Sequence, residues 1–458
     1  MSIITVNPAT GERLAEYPLM QDAEVTSAVL DADAAFRLWR EVPPADRAGL
    51  MKAVAGLLRR DRERHARLMT TEMGKTISEA LGEVEKCAWL CEFYAEHAPG
   101  WLADEEVAAD GLRHRVVFQP LGVVLSIMPW NYPYWQALRF GVPTLAAGNA
   151  TILKHASNVT GCGLAIAELF AEAGFPDGVF RTVVAGHAQV AGMLARPEVR
   201  GVSLTGSTAV GVKVAEMAAA GLKKVVLELG GSDPFIVLED ADLDLAARGA
   251  VTGRMLCTGQ SCIAAKRFIV VAEVADEFAA RFAAGMKALK VGDPLDPSTQ
   301  VGSMVNRAER DALQAQLQDA LDRGGRVLTG GRPVPGPGCF FEPTVVTGAT
   351  AEMRIVREEV FGPVAPVIVV PGEEEAIRLA NDSEFGLGGS VWTGDLERGE
   401  RLARRLECGT AFVNSIVKSD PRMPFGGVKM SGLGRELGRF GLMEFVNVKG
   451  LNVYRTSR

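Results

Sequence analysis

Apolar residues recur at helical spacing through most of the first hundred positions of the chain. From Asp22 to about Glu96 they alternate with many Ala, Arg and Glu, as in AEVTSAVLDADAAFRLW and AGLMKAVAGLLRRDRERHARLM. This spacing is that of amphipathic helices, which bury one face and expose the other. The pattern therefore predicts a set of helices ahead of the first large sheet.

Short β-rich runs alternate with helical stretches from about residue 121 to residue 240. The strand-like runs are LGVVLSI, NATILKH, GVFRTVV, VRGVSLTG and KKVVLELGG, and TGCGLAIAELFAEAG and TAVGVKVAEMAAA lie between them. A second set follows, with strands KRFIVV, RVLTGG, EPTVVTG, APVIVV and TAFVN and helices DEFAARFAAGMKAL, ERDALQAQLQDALDRG and EEEAIRLAND. Such alternation is typical of an α/β fold with parallel sheets. We place a boundary between two lobes near Gly230–Gly231.

Two further segments are strand-like without a helix behind them. RHRVVFQP precedes the first buried run, and MEFVNVKGLNVYRTSR ends the chain. A terminal strand leaves an open sheet edge unless it pairs with another strand, here the hairpin that includes RHRVVFQP or a strand of another subunit. We therefore expect the protein to form oligomers.

Composition and charge narrow the class of protein. Of the 458 residues, 48% are hydrophobic and 23% are charged, which is ordinary for a globular chain. The formal net charge of -7, with basic residues spread along the chain, argues against nucleic acid as a partner. No secretory leader or membrane-length apolar run is visible. We expect a cytoplasmic protein that binds neither nucleic acid nor membrane.

The seven cysteines do not form a disulfide or metal pattern. Cys87 and Cys91 lie one helical turn apart, but no second pair of Cys or His follows at zinc-site spacing. We therefore predict reduced thiols and no metal site.

The segment TGQSC, residues 258 to 262, is a candidate nucleophile site. Small residues around Cys262 leave room for a substrate carbonyl next to a thiol. From this segment alone, Cys262 is equally interpreted as a small buried hydrophobic residue. A thiol protease is disfavoured because none of the five histidines lies in a protease signature.

Two further segments supply groups that such a nucleophile needs. VVLELGGSDP places Glu228 at the end of an apolar run, where burial would raise its pKa and suit it to act as a general base. MPWNYP places Asn131 at a turn after a buried strand, where its amide could donate to an oxyanion. The alternatives are a strand-end carboxylate that caps a turn and an ordinary Asx-turn residue.

The chain lacks the G-x-G-x-x-G fingerprint of the usual dinucleotide-binding site. In SLTGSTAVG, residues 203 to 211, a strand instead ends at a Gly-Ser-Thr turn and a helix begins. The amide groups of that helix start could face a pyrophosphate, although a capped helix start without a ligand would look the same.

Seven motifs in order give the chain a wider resemblance. PWN, LKHAS, TGST, LELGG, GQSC, EEVFGP and PFGG resemble the aldehyde dehydrogenase superfamily along nearly the whole sequence. The resemblance implies a Rossmann-like cofactor domain (1–101 and 121–230), an α/β catalytic domain (231–440) and a small β oligomerisation element (102–120 and 441–458). It also implies a homodimer or homotetramer.

The resemblance assigns roles residue by residue. It implies that Cys262 is the nucleophile of a thiohemiacetal and thioester mechanism, that Glu228 activates the deacylating water and that Asn131 stabilises the oxyanion. It implies cofactor contacts from Trp130, Lys154, Ser157, Gly206, Ser207, Gly211, Leu229, Glu359 and Phe361. Relatives that prefer NAD often carry Glu where this chain has Ser157, so we predict NADP as the cofactor, with NAD possible.

The substrate prediction also rests on resemblance. WNYPYWQALRFGVP, LKHASN and SDPRMPFGG are similar to short bacterial succinate-semialdehyde dehydrogenases. This similarity implies a small aldehyde substrate bound by Arg139, Ser261 and Ser419, with the arginine pairing with the distal carboxylate. Leu256 stands where some such enzymes carry a second arginine.

Several alternatives stay open at this point. Arg139 could be a structural helix arginine, in which case another aliphatic or aromatic aldehyde is the substrate. A catalytically silent member of the family and an esterase or thioesterase without a cofactor are the remaining alternatives.

Overall fold

The computed structural model describes residues 1–456; residues 457 and 458, the end of the predicted oligomerisation element, lie outside the described residues. The amino-terminal half contains, in chain order, β1 Ser2–Val6, β2 Arg13–Pro18, α1 Asp22–Trp39, α2 Pro44–Arg60, α3 Arg62–Met73, α4 Ile77–Trp101, β3 Glu105–Val107, β4 Arg113–Pro120, β5 Val123–Met128, α5 Pro133–Ala146, β6 Ala150–His155, α6 Thr160–Glu172, β7 Phe180–Thr182, α7 His187–Ala195, β8 Val199–Thr205, α8 Thr208–Ala219 and β9 Lys224–Glu228.

The carboxy-terminal half continues with a second series of strands and helices. These elements are β10 Asp233–Val237, α9 Leu243–Met255, β11 Ala265–Val271, α10 Ala275–Lys287, α11 Arg307–Asp322, β12 Arg326–Thr329, β13 Thr344–Thr347, α12 Arg354–Arg357, β14 Val364–Val370, α13 Glu373–Asn381, β15 Phe385–Gly386, β16 Gly388–Trp392, α14 Leu396–Ala403, β17 Thr410–Val413, β18 Val428–Lys429, β19 Gly432–Leu433, α15 Gly438–Met443 and β20 Val446–Val453.

Two large sheets carry the fold, and they confirm the predicted α/β class. The first has six strands in the order β19-β9-β8-β5-β6-β7, and the second has seven in the order β12-β13-β14-β11-β10-β16-β17. All pairings of the first sheet are parallel except that of β19 on β9. The chain changes sheets between Glu228 and Asp233, where the lobe boundary was predicted. Gly432–Leu433, which lies within the predicted catalytic domain, adds an edge strand to the first sheet.

Both large sheets are covered on both faces, and successive strand residues point to opposite sides. In the second sheet Phe235 and Phe268 pack on one face, while Ile236 and Ile269 pack on the other. A strand covered on both faces is apolar throughout, and this explains the runs KRFIVV and APVIVV.

A small third sheet has the order β20-β4-β3. The terminal strand β20 pairs along its whole length with β4, from Val446 opposite Pro120 to Val453 opposite Arg113. One of the two pairing options for the tail is thus realised within the chain. Strand β20 remains an edge strand whose side chains Val448 and Leu451 are exposed.

Helix α4 holds the first residues of the next helix of the chain in place. It begins with a capping box, in which the Thr76 hydroxyl accepts a hydrogen bond from the Glu79 N–H. One turn later the buried Glu83 carboxylate accepts the N–H groups of Tyr134 at 2.9 Å and Trp135 at 2.8 Å. A negative charge at a helix N-terminus is favourable, so Glu83 orients α5 and the side chains that α5 carries.

Within residues 1–456, no helix is both long and apolar enough to cross a membrane. Nor do three or more His, Cys, Asp or Glu side chains of this range gather in a group that could hold a metal ion.

Candidate active site

Cys262 lies in a loop between α9 and β11 whose backbone is strained. Cys257, Thr258 and Gly259 have φ values of 54°, 57° and 76°, so three consecutive residues occupy the left-handed region. A β-branched residue such as Thr258 adopts this conformation at a cost on the order of 1–3 kcal/mol. Surrounding contacts must therefore hold the loop. Backbone strain of this kind is found mainly at functional sites.

Gln260 and Lys266 supply those contacts. The Gln260 side chain accepts a hydrogen bond from Val305 N–H at 2.8 Å and donates to the Cys257 carbonyl at 3.2 Å. The buried Lys266 ammonium donates to the carbonyl oxygens of Ser261 at 2.9 Å and Cys262 at 2.7 Å. The peptide that carries the thiol is thus fixed from two sides.

The Cys262 thiol is half-buried, and the groups around it shift its pKa in opposite directions. Burial raises the pKa of the thiol to about 12, while the positive charges of Arg139 and Lys266 act to lower it. The nearby carboxylates of Glu359 and Glu228 raise it. The protein alone therefore favours the thiol form, and the nucleophile needs a base to become a thiolate.

Glu228 is a buried carboxylate without a hydrogen-bond partner. It ends β9, its exposure is 2%, and neither of its side-chain oxygens has a partner within the described residues. Burial raises its pKa well above the usual value; Arg139 opposes this shift and Glu436 adds to it. A Cβ on Gly426 would lie 2.7 Å from Glu228 Oε1, so glycine leaves the space that the carboxylate occupies. Such a carboxyl group is suited to accept a proton near neutral pH.

Asn131 lies next to the thiol in the same cavity. Its Nδ2 donates to the Gln260 carbonyl at 3.1 Å, and its exposure is 4%. A carboxamide has two N–H donors, so one remains for a ligand.

Two half-open cavities meet at Cys262. One, of about 300 Å³, is lined by Cys262 and Asn131 and by six of the residues predicted to bind the cofactor: Trp130, Gly206, Ser207, Leu229, Glu359 and Phe361. The other, of about 250 Å³, is lined by Cys262 and by the three residues predicted to bind the substrate: Arg139, Ser261 and Ser419. We call them the cofactor cavity and the substrate cavity. The structure thus brings most of the predicted site residues together around one sulfur atom.

The cofactor cavity fits the phosphates of a dinucleotide. It lies at the carboxyl ends of β5 and β8, where helix α8 begins. Ser207 is the N-cap of α8, but its side chain makes no capping bond, so the hydroxyl and the first helix amides can face an anion. Glu359 accepts the Gly231 N–H at 3.1 Å and lies 3.5 Å from Lys266 Nζ.

Three predicted cofactor residues lie outside this cavity. Lys154 is the penultimate residue of β6, opposite Ile127 of β5, and Ser157 begins a short 3₁₀ helix just beyond the strand. Both lie at the same sheet edge as the cavity, Lys154 half-buried and Ser157 exposed. Gly211 is buried, and a Cβ there would come within 2.5 Å of Leu229, so its place in α8 is one of helix packing. The predicted roles of all the site residues stay predictions.

The structure gives Arg139 a partner that the sequence pattern did not indicate. Its guanidinium is 2% exposed and forms an ion pair with the buried carboxylate of Glu436. Its charge is therefore already compensated where it lines the substrate cavity.

Sequence reasoning missed Lys86 and Trp135, which also line the substrate cavity. Lys86 had no signal in the sequence, because a lysine on an amphipathic helix is normally solvated. Glu309 lines the cofactor cavity and was missed as well, since it stands at an exposed helix start with no motif around it.

Comparison with known proteins agrees with this arrangement. Residues 1–451 match the model of the aldehyde dehydrogenase family, and the chain belongs to that family.

Individual relatives are similar over nearly their full length. A probable succinate-semialdehyde dehydrogenase (NADP(+)) of Synechocystis sp. is 47% identical over 449 residues, which cover 98% of this chain and 99% of the relative. The succinate semialdehyde dehydrogenase (NAD(P)+) Sad of Escherichia coli is 46% identical, with 97% of this chain and 96% of the relative covered. The crystal structure of succinic semialdehyde dehydrogenase from Streptococcus pyogenes with NADP+ has a TM-score of 0.96 at 37% identity and covers 99% of this chain and 100% of that one. The predicted family and fold are confirmed.

Proposed function

We propose that the protein oxidises succinate semialdehyde to succinate with NADP+ as the electron acceptor. The observation that carries the proposal is that Cys262 lies between two cavities, one fitted to a dinucleotide and the other small and lined by basic side chains. A cavity of about 250 Å³ suits a short substrate, and cations at its wall suit one with a carboxylate. The similarity to enzymes named for this reaction supports the same substrate.

The residues around Cys262 account for each step of this reaction. Glu228 takes the thiol proton, and the thiolate adds to the aldehyde carbon. The free N–H of Asn131 and the backbone N–H of Cys262 stabilise the resulting oxyanion of the thiohemiacetal. NADP+, when bound, supplies the acceptor for the hydride that leaves this carbon. After Glu228 has released the first proton to solvent, it takes a proton from the water that hydrolyses the thioester. The thiolate that leaves receives this proton, which releases the acid and restores the thiol.

The substrate proposal is tested by initial rates of NADPH formation with succinate semialdehyde, glutaraldehyde, butyraldehyde and benzaldehyde. We expect the highest kcat/KM with succinate semialdehyde, because butyraldehyde has the same chain length but no carboxylate. Similar values for these two aldehydes would contradict the proposed substrate and leave aldehyde oxidation intact. Hydrolysis of esters without NADP+ as the main activity would contradict the dehydrogenase.

Replacing Ser157 with glutamate is expected to lower kcat/KM with NADP+ relative to NAD+ by about tenfold or more, ~1.4 kcal/mol. The reason is that a carboxylate at this position would repel the 2′-phosphate of NADP+ and accept a hydrogen bond from the 2′-hydroxyl of NAD+. Initial rates with both cofactors measure the ratio, and Ser157→Gln is the control of similar length without charge. Equal effects of the two substitutions would exclude charge as the cause.

We also propose that the protein works in the cytoplasm as a homodimer or homotetramer. The seven free cysteines suit a reducing compartment. Strand β20 exposes Val448 and Leu451 along an unpaired edge, which a second subunit could cover. A monomer mass by light scattering would contradict the oligomer.

A further inference from the structure

Lys86 brings a charged nitrogen to the wall of the substrate cavity. It lies on α4, and its Nζ donates a hydrogen bond to Ser419 Oγ at 2.8 Å. The same nitrogen lies 4.1 Å from the centroid of the Trp135 ring. Lys86, Trp135 and Ser419 line the same cavity as Cys262. An ammonium group has three donors, so after the bond to Ser419 two remain for a ligand.

Three cations line this cavity, and they differ in their surroundings. Arg139 pairs with Glu436. Within residues 1–456, no carboxylate oxygen lies within 4.0 Å of Lys86 Nζ or of Lys418 Nζ. Lys418 is exposed to solvent, whereas Lys86 is partly buried. Lys86 is therefore the partly buried cation of this cavity without an anionic partner.

Burial of an unpaired ammonium group is unfavourable, and the pKa of Lys86 reflects this. Burial and, to a smaller extent, the positive charge of Arg139 lower the pKa of Lys86 to about 8. The groups that act in the opposite direction are Cys87 and Glu83 of its own helix and Asp420, which pairs with Arg422. An anion bound next to Lys86 would restore its charged form.

We propose that Lys86, together with the Ser419 hydroxyl, binds the distal carboxylate of the substrate, whereas Arg139 is held by its ion pair with Glu436. This inference rests on the proposed function, because it assigns a binding partner to the carboxylate of a semialdehyde. Lys86 and Cys262 line the same cavity. An aldehyde whose carboxylate is bound by Lys86 can therefore present its aldehyde end to the sulfur.

The test compares succinate semialdehyde with butyraldehyde in the wild type, Lys86→Met and Lys86→Arg. We expect Lys86→Met to lower the ratio of kcat/KM for succinate semialdehyde to that for butyraldehyde by about 10- to 100-fold, mainly through KM. Lys86→Arg, which keeps the charge, should recover part of this ratio. Lys52→Met, on an exposed face of α2, is the matched control and should keep the wild-type ratio.

Binding of succinate supplies a readout that does not depend on turnover. Calorimetry at pH 7 and pH 9.5 should show that the wild type binds succinate more weakly at the higher pH, because Lys86 loses its proton between them. Lys86→Met should bind weakly at both values. If Lys86→Met fails to fold, Ser419→Ala should still raise KM for succinate semialdehyde severalfold.

The outcomes separate this inference from the proposed function. A wild type without preference for succinate semialdehyde over butyraldehyde overturns both. A wild type with that preference, retained in folded Lys86→Met, overturns the role of Lys86 alone and returns the carboxylate to Arg139.

Discussion

Replacing Cys262 with alanine is expected to reduce aldehyde-dependent NADPH formation by at least about 10³-fold, because the covalent intermediates cannot form. Cys262 is the one residue that lines both cavities, and its sulfur is the nucleophile. We therefore expect no neighbouring side chain to substitute for it. Stopped-flow absorbance at 340 nm with the purified variant measures the rate of the first turnover as well as the steady state.

Cys408→Ala is the matched control for this substitution. Cys408 is the other half-buried cysteine, and burial raises its pKa to about 12, as it does for Cys262. It lies outside both cavities, so we expect near wild-type turnover. Loss of activity in Cys408→Ala, or a persistent first turnover in Cys262→Ala, would contradict the assignment of the nucleophile.

Replacing Glu228 with glutamine is expected to lower steady-state turnover by about 10²- to 10⁴-fold. If the main role of Glu228 is to activate water, the thioester should accumulate, so one equivalent of NADPH forms per site before the rate falls. Mass spectrometry of the intact protein should show an acyl group on Cys262. Loss of the first turnover as well would shift the main role of Glu228 to deprotonation of the thiol.

The pKa of Glu228 adds a dependence on pH. Because this pKa is raised, Glu228 in the folded protein keeps a proton that the same group in the unfolded chain loses at lower pH. Stability therefore falls as pH rises from the usual pKa of glutamate toward the raised one, and Glu228→Gln should remove this fall. Wild-type thioester hydrolysis should instead increase with pH over the same range, as the base loses its proton.

Glu72→Gln separates the base from a buried carboxylate in general. Burial also raises the pKa of Glu72, but its oxygens accept the N–H groups of Gly161 and Cys162, both at 3.0 Å. We expect this variant to be less stable, with turnover close to that of the wild type. A loss of turnover like that of Glu228→Gln would point to a general effect of charge.

Much of the fold followed from periodicity, and the missed strands have physical reasons. Strand β10 lies in the interior of its sheet, between β11 and β16, yet contains Pro234, and proline lacks an N–H and normally occurs at sheet edges. The register of β10 on β11 shifts at this residue, and the irregularity accommodates the proline. Strand β16 begins with Gly388 and Gly389, which read as a turn in the sequence.

The motifs predicted which residues form the candidate site, but they did not predict the ion pairs and buried charges within it. Asn131 follows the carboxyl end of β5 in the first sheet, whereas Cys262 precedes β11 of the second sheet. Their motifs therefore predicted that the two residues meet, although they share no sheet edge. The pair between Arg139 and Glu436 depends instead on packing between segments far apart in the chain. The same limit applies to Lys86, since a lysine on a helix is normally solvated.

The meeting of two cavities at a single sulfur atom has a consequence for the order of events in a reaction cycle. In the proposed function, an aldehyde and a dinucleotide would approach Cys262 through separate cavities, so neither would have to pass the other on its way in or out. Departure of the dinucleotide from its cavity would free space next to a thioester on Cys262 for the hydrolytic water. This arrangement would separate the oxidative half of the cycle from the hydrolytic half.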